Sequence, residues 1–197
     1  MKDISLHILD IAENSVTAGA QTLQIVIEEM PAQDLYTLVI EDDGKGMETD
    51  FVMKVTDPWI TTRTTRRFGL GLPLLHQNCE LAGGSLDIVS QQGKGTSVKA
   101  VFQLSHIDRP PAGDIPTTLR LLMAARPDLH LVYEHRTTNG TFVFDTLQVK
   151  DAIGNLPLNH PEVLRMCSIF MKANLQQIGA ECQTKNDFKL VESDINH

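Results

Sequence analysis

The chain has 197 residues, 42% of them hydrophobic and 21% charged, with a formal net charge of −8. That is enough apolar material for one sizeable core. The acidic balance argues against a nucleic-acid backbone or an anionic membrane as the main partner, because both need clustered Lys and Arg. No apolar run approaches membrane-spanning length. The opening MKDISLHILDIAEN interrupts its apolar stretch with acids and has no small-residue cleavage site, unlike a signal peptide. Cys79, Cys167 and Cys182 lack any CxxC spacing, the pattern of reduced thiols in a cytoplasmic protein.

The first predicted element is a helix. Ile4, Ile8 and Ile11 recur at helical spacing, Asp3 can cap the start and Gly19 can end it. Asp10 and Asn14 stand four residues apart, so a helix places them one turn apart on one face. Such a pair suits a magnesium-bound phosphate and an attacking water, but amphipathic helices also carry such pairs on solvated faces. Thr22 to Glu29 and Leu35 to Glu41 alternate as half-buried strands around a turn at Pro31. The second runs into Asp42-Asp43-Gly44-Lys45-Gly46-Met47, where alternating glycines indicate a tight loop that approaches something closely, or an ordinary turn.

Glu48 to Val55 reads as a short helix, and Thr56 to Phe68 (TDPWITTRTTRRF) as a mobile hydrophilic loop. Gly69-Leu70-Gly71-Leu72 then opens a helix with Pro73 in its first turn, stopped by Gly83-Gly84. Glycines at a helix amino terminus expose amides and the positive end of the dipole, a natural phosphate site. The spacing matches neither GxxxxGK[ST] nor GxGxxG, which disfavours P-loop and dinucleotide readings. Ser85 to Gln91 and Thr96 to Leu104 form a plausible hairpin about Gly93-Lys94-Gly95.

Four blocks, LDIAENSVTAGA, DDGKGM, FGLGLPLL and GKGTSV, occur in this order. They resemble the N, G1, G2 and G3 boxes of the GHKL ATPases, the superfamily of gyrase B, heat-shock chaperone ATPases, histidine kinases and mismatch-repair ATPases. The middle blocks are most similar to histidine kinases, and the N box to mismatch-repair ATPases. The resemblance covers roughly residues 3 to 105. It implies a Bergerat-type two-layer α/β sandwich: a mixed, mostly antiparallel sheet, helices on one face, ATP at the open edge.

The same resemblance implies roles for individual residues. Asn14 would be the Mg2+ ligand and Asp10 would polarise the attacking water. Asp42 would accept a hydrogen bond from the adenine amino group, with Gly44, Gly46 and Met47 close to the base. Gly69, Leu70, Gly71 and Leu72 would meet the phosphates, and Thr96 would help hold Asp42 and a bridging water. Arg63 is the leading γ-phosphate cation, followed by Arg66 and Arg67, for which a solvated loop is an equal reading. Asp10 is one methylene shorter than the glutamate of the hydrolases, with Glu13 as a fallback. Ser105-His106-Ile107-Asp108-Arg109-Pro110 superficially resembles a phosphoacceptor box but falls in a linker, and no phosphoacceptor helix precedes the N box. His7 could also face the nucleotide, although a packed or solvent-facing histidine is commoner.

Pro110, Pro111 and Gly113 mark a boundary. The expected division is an ATP-binding domain over 1–108, a small α+β appendage over 109–182, and a flexible tail over 183–197. In the appendage, Asp114 caps a helix, Asn139-Gly140 turns a hairpin, and 147–153 is a short helix. A long helix from Pro161 carries Val163, Leu164, Cys167, Phe170, Met171, Leu175 and Ile178 as a buried stripe. That stripe is core, or the face of a homodimer. Two functions fit: a kinase-like enzyme that moves the γ-phosphoryl group from ATP to an unidentified protein acceptor or to water, or an ATP-gated interaction protein with negligible turnover.

Overall fold

The computed structural model describes residues 2–47 and 71–181. The expected helix over 48–55, the Thr56–Phe68 loop, Arg63, Arg66, Arg67, Gly69, Leu70 and the tail lie outside them.

Helix α1 (Ile4–Thr17) leads into β1 (Thr22–Met30), a short turn of 3-10 helix (Pro31–Gln33) and β2 (Leu35–Asp42). After the undescribed stretch come α2 (Gly71–Leu81), β3 (Ser85–Gln91) and β4 (Gly95–Gln103). Then follow α3 (Ile115–Ala125), β5 (His130–Thr137), β6 (Gly140–Asp145), α4 (Thr146–Ile153) and α5 (Pro161–Gln177). The strands make one mixed sheet in the order β3-β4-β2-β1-β5-β6. Every neighbouring pair is antiparallel except β1 with β5.

Period-two alternation gives this sheet one buried face. Leu23, Ile25 and Ile27 of β1 join Tyr36, Leu38 and Ile40 of β2, and Val98, Ala100 and Phe102 of β4. Leu131 and Tyr133 of β5 with Phe142 and Phe144 of β6 extend the same layer. The helices supply the other half through Ile4, Ile8 and Ile11 of α1, Leu75 and Cys79 of α2, Leu119 and Leu122 of α3, and Met171 and Leu175 of α5, forming one continuous cluster. Each fully buried Leu or Ile contributes about 1.5–3 kcal/mol of transfer free energy, so this layer is the main stabilising term.

Local signals set the helix ends. The Asp3 carboxylate accepts from the Leu6 amide at 3.0 Å, and Asp114 accepts from Thr117 at 3.1 Å. Gly19 follows α1 with φ +84°, a conformation costly for a residue with a Cβ.

Residues 109–181 are α+β in content, and their two strands continue the sheet beyond β1. They are tied to the first half by more than the ladder. The Ile4 and Ser5 amides donate to the Pro111 and Ala112 carbonyls at 2.9 and 3.0 Å. Arg109 pairs with Glu181 at 2.6 Å and lies 5.0 Å from the centre of the Tyr36 ring. The Glu181 amide donates to Glu29, whose carboxylate also meets His135 at 2.7 Å. The phosphoacceptor-like stretch is anchored at both ends, with Ile107 and Asp108 exposed between them: Ser105 donates to Asp34 through its amide and its hydroxyl, and Arg109 Nε donates to the Leu104 carbonyl at 2.9 Å.

One expectation on α5 needs correction. Val163, Cys167, Met171, Leu175 and Ile178 are buried and Leu164 is half-buried, but Phe170 is 53% exposed. The inward stripe is narrower than the sequence pattern, and Phe170 sits beside the edge strand, packing edge-on against Phe142 at 5.7 Å.

Candidate functional site

The site begins where β2 ends. Asp42 continues the inward phase of Tyr36, Leu38 and Ile40, so the strand delivers a carboxylate to the rim of the core beneath α1. There the Ser15 hydroxyl donates to Oδ2 at 2.7 Å and the Gly44 amide donates to Oδ1 at 2.9 Å. Both oxygens are oriented, and an ionised carboxylate offers only acceptors. The neighbouring acid does different work. Asp43 is exposed, and its Oδ1 accepts from the Gln21 and Thr22 amides at 2.7 and 2.8 Å. Desolvation opposes ionisation of Asp43, but the amides of Thr22 and Gln21 outweigh it and hold the carboxyl below the usual carboxylate range. Asp43 closes the turn, leaving Asp42 to face the recess.

The glycines follow from how closely the backbones approach here. A Cβ on Gly46, at φ +62°, would stand 2.1 Å from the Gln91 carbonyl oxygen. One on Gly95, at φ +102°, would stand 1.9 Å from the Asp42 carbonyl oxygen. Ser90 knits the same corner: it donates to the Gly95 carbonyl at 3.0 Å and accepts from the Met47 amide at 2.8 Å. Its single hydrogen being used, Ser90 takes a hydrogen bond from Thr96 at 2.9 Å. Thr96 itself is the ladder partner of Asp42 across β2 and β4.

Around Asp42 lies a recess of about 50 Å³ lined by Ile11, Asn14, Ser15, Ala18, Lys45, Gly46, Met47, Leu72, Thr96 and Val98. Its walls are mainly apolar, and its polar atoms converge from α1, the β2 end and β4. A larger cavity of about 510 Å³ lies between β6, α4 and α5. It is lined mainly by apolar side chains and contains none of the boxes.

Asn14 lines the recess and donates through Nδ2 to Asp10 Oδ2 at 3.3 Å. With its amide nitrogen so engaged, Asn14 retains Oδ1 as a hard oxygen donor. Asp10 lies on the other side of the pair, against the start of α2. A Cβ placed on Gly71 would meet Asp10 Oδ2 at 1.7 Å, so only glycine admits the carboxylate here. Burial raises the Asp10 carboxyl above the ordinary carboxylate range, and the hydrogen bond from Asn14 opposes part of that shift. Glu13, the fallback, is exposed.

The structure thus brings Asp10, Asn14, Asp42, Gly44, Gly46, Met47, Gly71, Leu72 and Thr96 to one end of the sheet. Four neighbours escaped the sequence reading: Ser15, Ser90, Lys45 and Gly95. Ser15, Lys45 and Gly95 lie inside the quoted blocks without having been singled out, and Ser90 lies outside all of them. His106 folds back on Gln103 at the far end of β4, roughly 23 Å from Thr96 at about 3.3 Å per strand residue, at the opposite end of that strand.

Residues 2–106, just over half of the chain, match the family of histidine kinase-, DNA gyrase B- and HSP90-like ATPases. The chain belongs to that family, the GHKL ATPases. Among relatives, the sensor kinase CckA of Brucella abortus is 28% identical over 103 residues, 52% of this chain and 11% of the kinase. The sensor histidine kinase ZraS of Escherichia coli is 26% identical over 106 residues, 54% of this chain and 23% of the kinase. The chain spans less than a quarter of the length of these sensor kinases. The ATPase domain of Aquifex aeolicus MutL, solved with ADP, is similar at 13% identity and a TM-score of 0.43, covering 87% of this chain and 70% of that one.

Proposed function

We propose that the chain binds ATP with magnesium in the Asp42 recess and transfers the γ-phosphoryl group to a protein side chain or to water. The observation that carries this reading is Asp42 itself. It is an acceptor-only group, oriented by Ser15 and Gly44, at the mouth of a recess walled by Ile11, Met47, Leu72 and Val98. That chemistry suits a flat ring with an exocyclic amino donor, and adenine is such a ring.

The phosphates would then run from the base toward the start of α2 at Gly71, where the helix dipole favours negative charge. Asn14 fits a magnesium ion through Oδ1. The described residues hold no cluster of three His, Cys, Asp or Glu side chains suited to a metal. The ion would therefore take most of its ligands from phosphate oxygens and water, as magnesium commonly does. When bound, it neutralises charge on the terminal phosphates. Asp10, hydrogen-bonded to Asn14, would orient and deprotonate a water or an acceptor hydroxyl. Arg63, with Arg66 as a second candidate, supplies the cation at the γ-phosphate. Positioning and charge neutralisation carry most of such a transfer. A cytoplasmic setting agrees with Cys79 and Cys167 as free, buried thiols. Among the described residues no helix is long and apolar enough to cross a membrane.

Titration calorimetry with ATP and magnesium, paired with γ-labelled ATP and a cell lysate, tests the reading. The expected result is binding that Asp42→Asn weakens at least tenfold, with label appearing on a protein or as free phosphate. Absence of binding at millimolar ATP overturns the nucleotide reading. Tight binding without label or phosphate release selects the ATP-gated interaction protein instead.

A further inference from the structure

His7 lies one turn before Asp10 on α1 and is fully buried beside Ile4, Ile8 and Ile11. Its Nε2 meets Asn78 Nδ2 of α2 at 2.8 Å. This side-chain hydrogen bond joins α1 to α2. With the Asn78 amide as donor, Nε2 is the acceptor and Nδ1 carries the proton. Nδ1 meets no partner at full hydrogen-bond geometry, and the Gly71 backbone at the start of α2 lies close enough to act on the ring. Burial, the largest cause, holds the ring well below the usual imidazole range, near 4, although the Gly71 backbone works in the opposite direction. The imidazole is neutral at physiological pH.

A leucine at this position would pack among the isoleucines without desolvating two ring nitrogens or leaving one unpaired. A buried polar group with an unmet donor is destabilising compared with an apolar replacement of similar shape. Core packing therefore does not explain the histidine, whereas geometry does. The turn of α1 that carries His7 is followed by the turn that carries Asp10, and the Asp10 carboxylate is lodged against Gly71, seven residues before Asn78 on α2. The two contacts are separated by one turn on α1 and about two turns on α2, one made by the His7–Asn78 bond and the other by Asp10 against Gly71.

We propose that His7 is a positioning residue: its hydrogen bond with Asn78 fixes the spacing between the Asp10–Asn14 pair and the amino-terminal turn of α2. This inference rests on the nucleotide reading and deepens it. The base pocket at Asp42, Ser15 and Thr96 does not touch His7, so loosening the α1–α2 spacing acts on the phosphate end and spares the adenine end. The quantity it controls is the affinity ratio of ATP over AMP, because AMP tests the base pocket and ATP adds the terminal phosphates.

The experiment uses the full chain, titrated with ATP and with AMP in the presence of magnesium. The variants are His7→Gln, His7→Leu, and the double substitution His7→Leu with Asn78→Leu, each also melted thermally. Gln can place its Oε1 near the position of imidazole Nε2 and accept from Asn78, so His7→Gln retains the wild-type ratio. The double variant, apolar on both sides, melts at or above the wild type, yet its ATP-over-AMP ratio falls at least tenfold while AMP affinity stays within twofold. That split is one a packing role would not produce. A double variant that keeps the wild-type ratio overturns the proposal, and so does a His7→Gln chain that loses it as fully as His7→Leu. Wild-type protein that binds neither nucleotide removes the nucleotide reading and this inference with it; wild-type binding with an unchanged ratio in the variants removes the inference alone.

Discussion

The Ser15 hydroxyl donates a 2.7 Å hydrogen bond to the Asp42 carboxylate, joining α1 to the end of β2 across 27 positions of sequence. Ser15 is buried, so its removal leaves a carboxylate oxygen without its donor at the recess. A hydrogen bond to a charged group contributes about 1.5–3 kcal/mol. Ser15→Ala is therefore expected to weaken ATP and AMP equally, by about tenfold or more, because both use the base pocket. Fluorescence titration with the two nucleotides checks this; a loss confined to ATP would contradict it.

Gly71 offers a separate control on the phosphate end. An alanine there places its methyl on the space that Asp10 Oδ2 occupies, 1.7 Å away. The carboxylate must rotate away from α2 or the helix must retreat. Turnover in Gly71→Ala is expected to fall at least tenfold, about 1.4 kcal/mol of transition-state stabilisation, while AMP affinity holds. Phosphate release measured beside AMP binding separates the two effects.

Asp10 carries the chemistry most exposed to pH. Asp10→Asn keeps the hydrogen-bonding shape but cannot take a proton, so turnover is expected to fall by about 100-fold or more, the usual scale of general-base catalysis, with ATP affinity retained. Because burial raises the carboxyl above the ordinary range, the acidic limb of the rate profile in the wild type should lie higher than a free aspartate would place it. A profile of phosphate release against pH reads this directly.

His7 gives the fold its own acid sensitivity. Its ring titrates near 4 when folded against an ordinary 6.5. The unfolded chain therefore binds the proton first as pH falls. The contribution is intact above pH 6.5 and is lost progressively between 6.5 and about 4, by roughly 3 kcal/mol in all. His7→Gln, which has no proton to gain, should lose correspondingly less stability between pH 7 and 4.5. Urea midpoints at the two pH values measure the difference.

Much of this arrangement was legible in the chain because it is local. Asp3 and Asp114 announce helix starts, Asn139-Gly140 announces the last hairpin, and alternation places Leu23, Ile25 and Ile27 on one face. The order of the glycine boxes placed Asp42 and Asn14 at one site. What resisted reading depends on distant partners. Nothing within Thr22–Met30 or His130–Thr137 says that these strands lie side by side and parallel. Ser15 and His7 look like any polar residues on an amphipathic helix until Asp42 and Asn78 are brought to them. Phe170 falls on the helical period of Met171 and Cys167, but the sheet stops at β6 and leaves it at the rim.

The pairing of Thr22 with His130 sets a timetable. Strand β1 stands in the interior of the sheet, yet the neighbour that covers its second edge is synthesised more than a hundred residues later. At about 5–20 residues per second, a nascent chain carries β1 for several seconds with an open row of amides and carbonyls, and without α3 over α1. The nucleotide-binding half is thus made first and completed last. The sheet behind the Asp42 recess is closed over β1 only after β5, His130–Thr137, has left the ribosome.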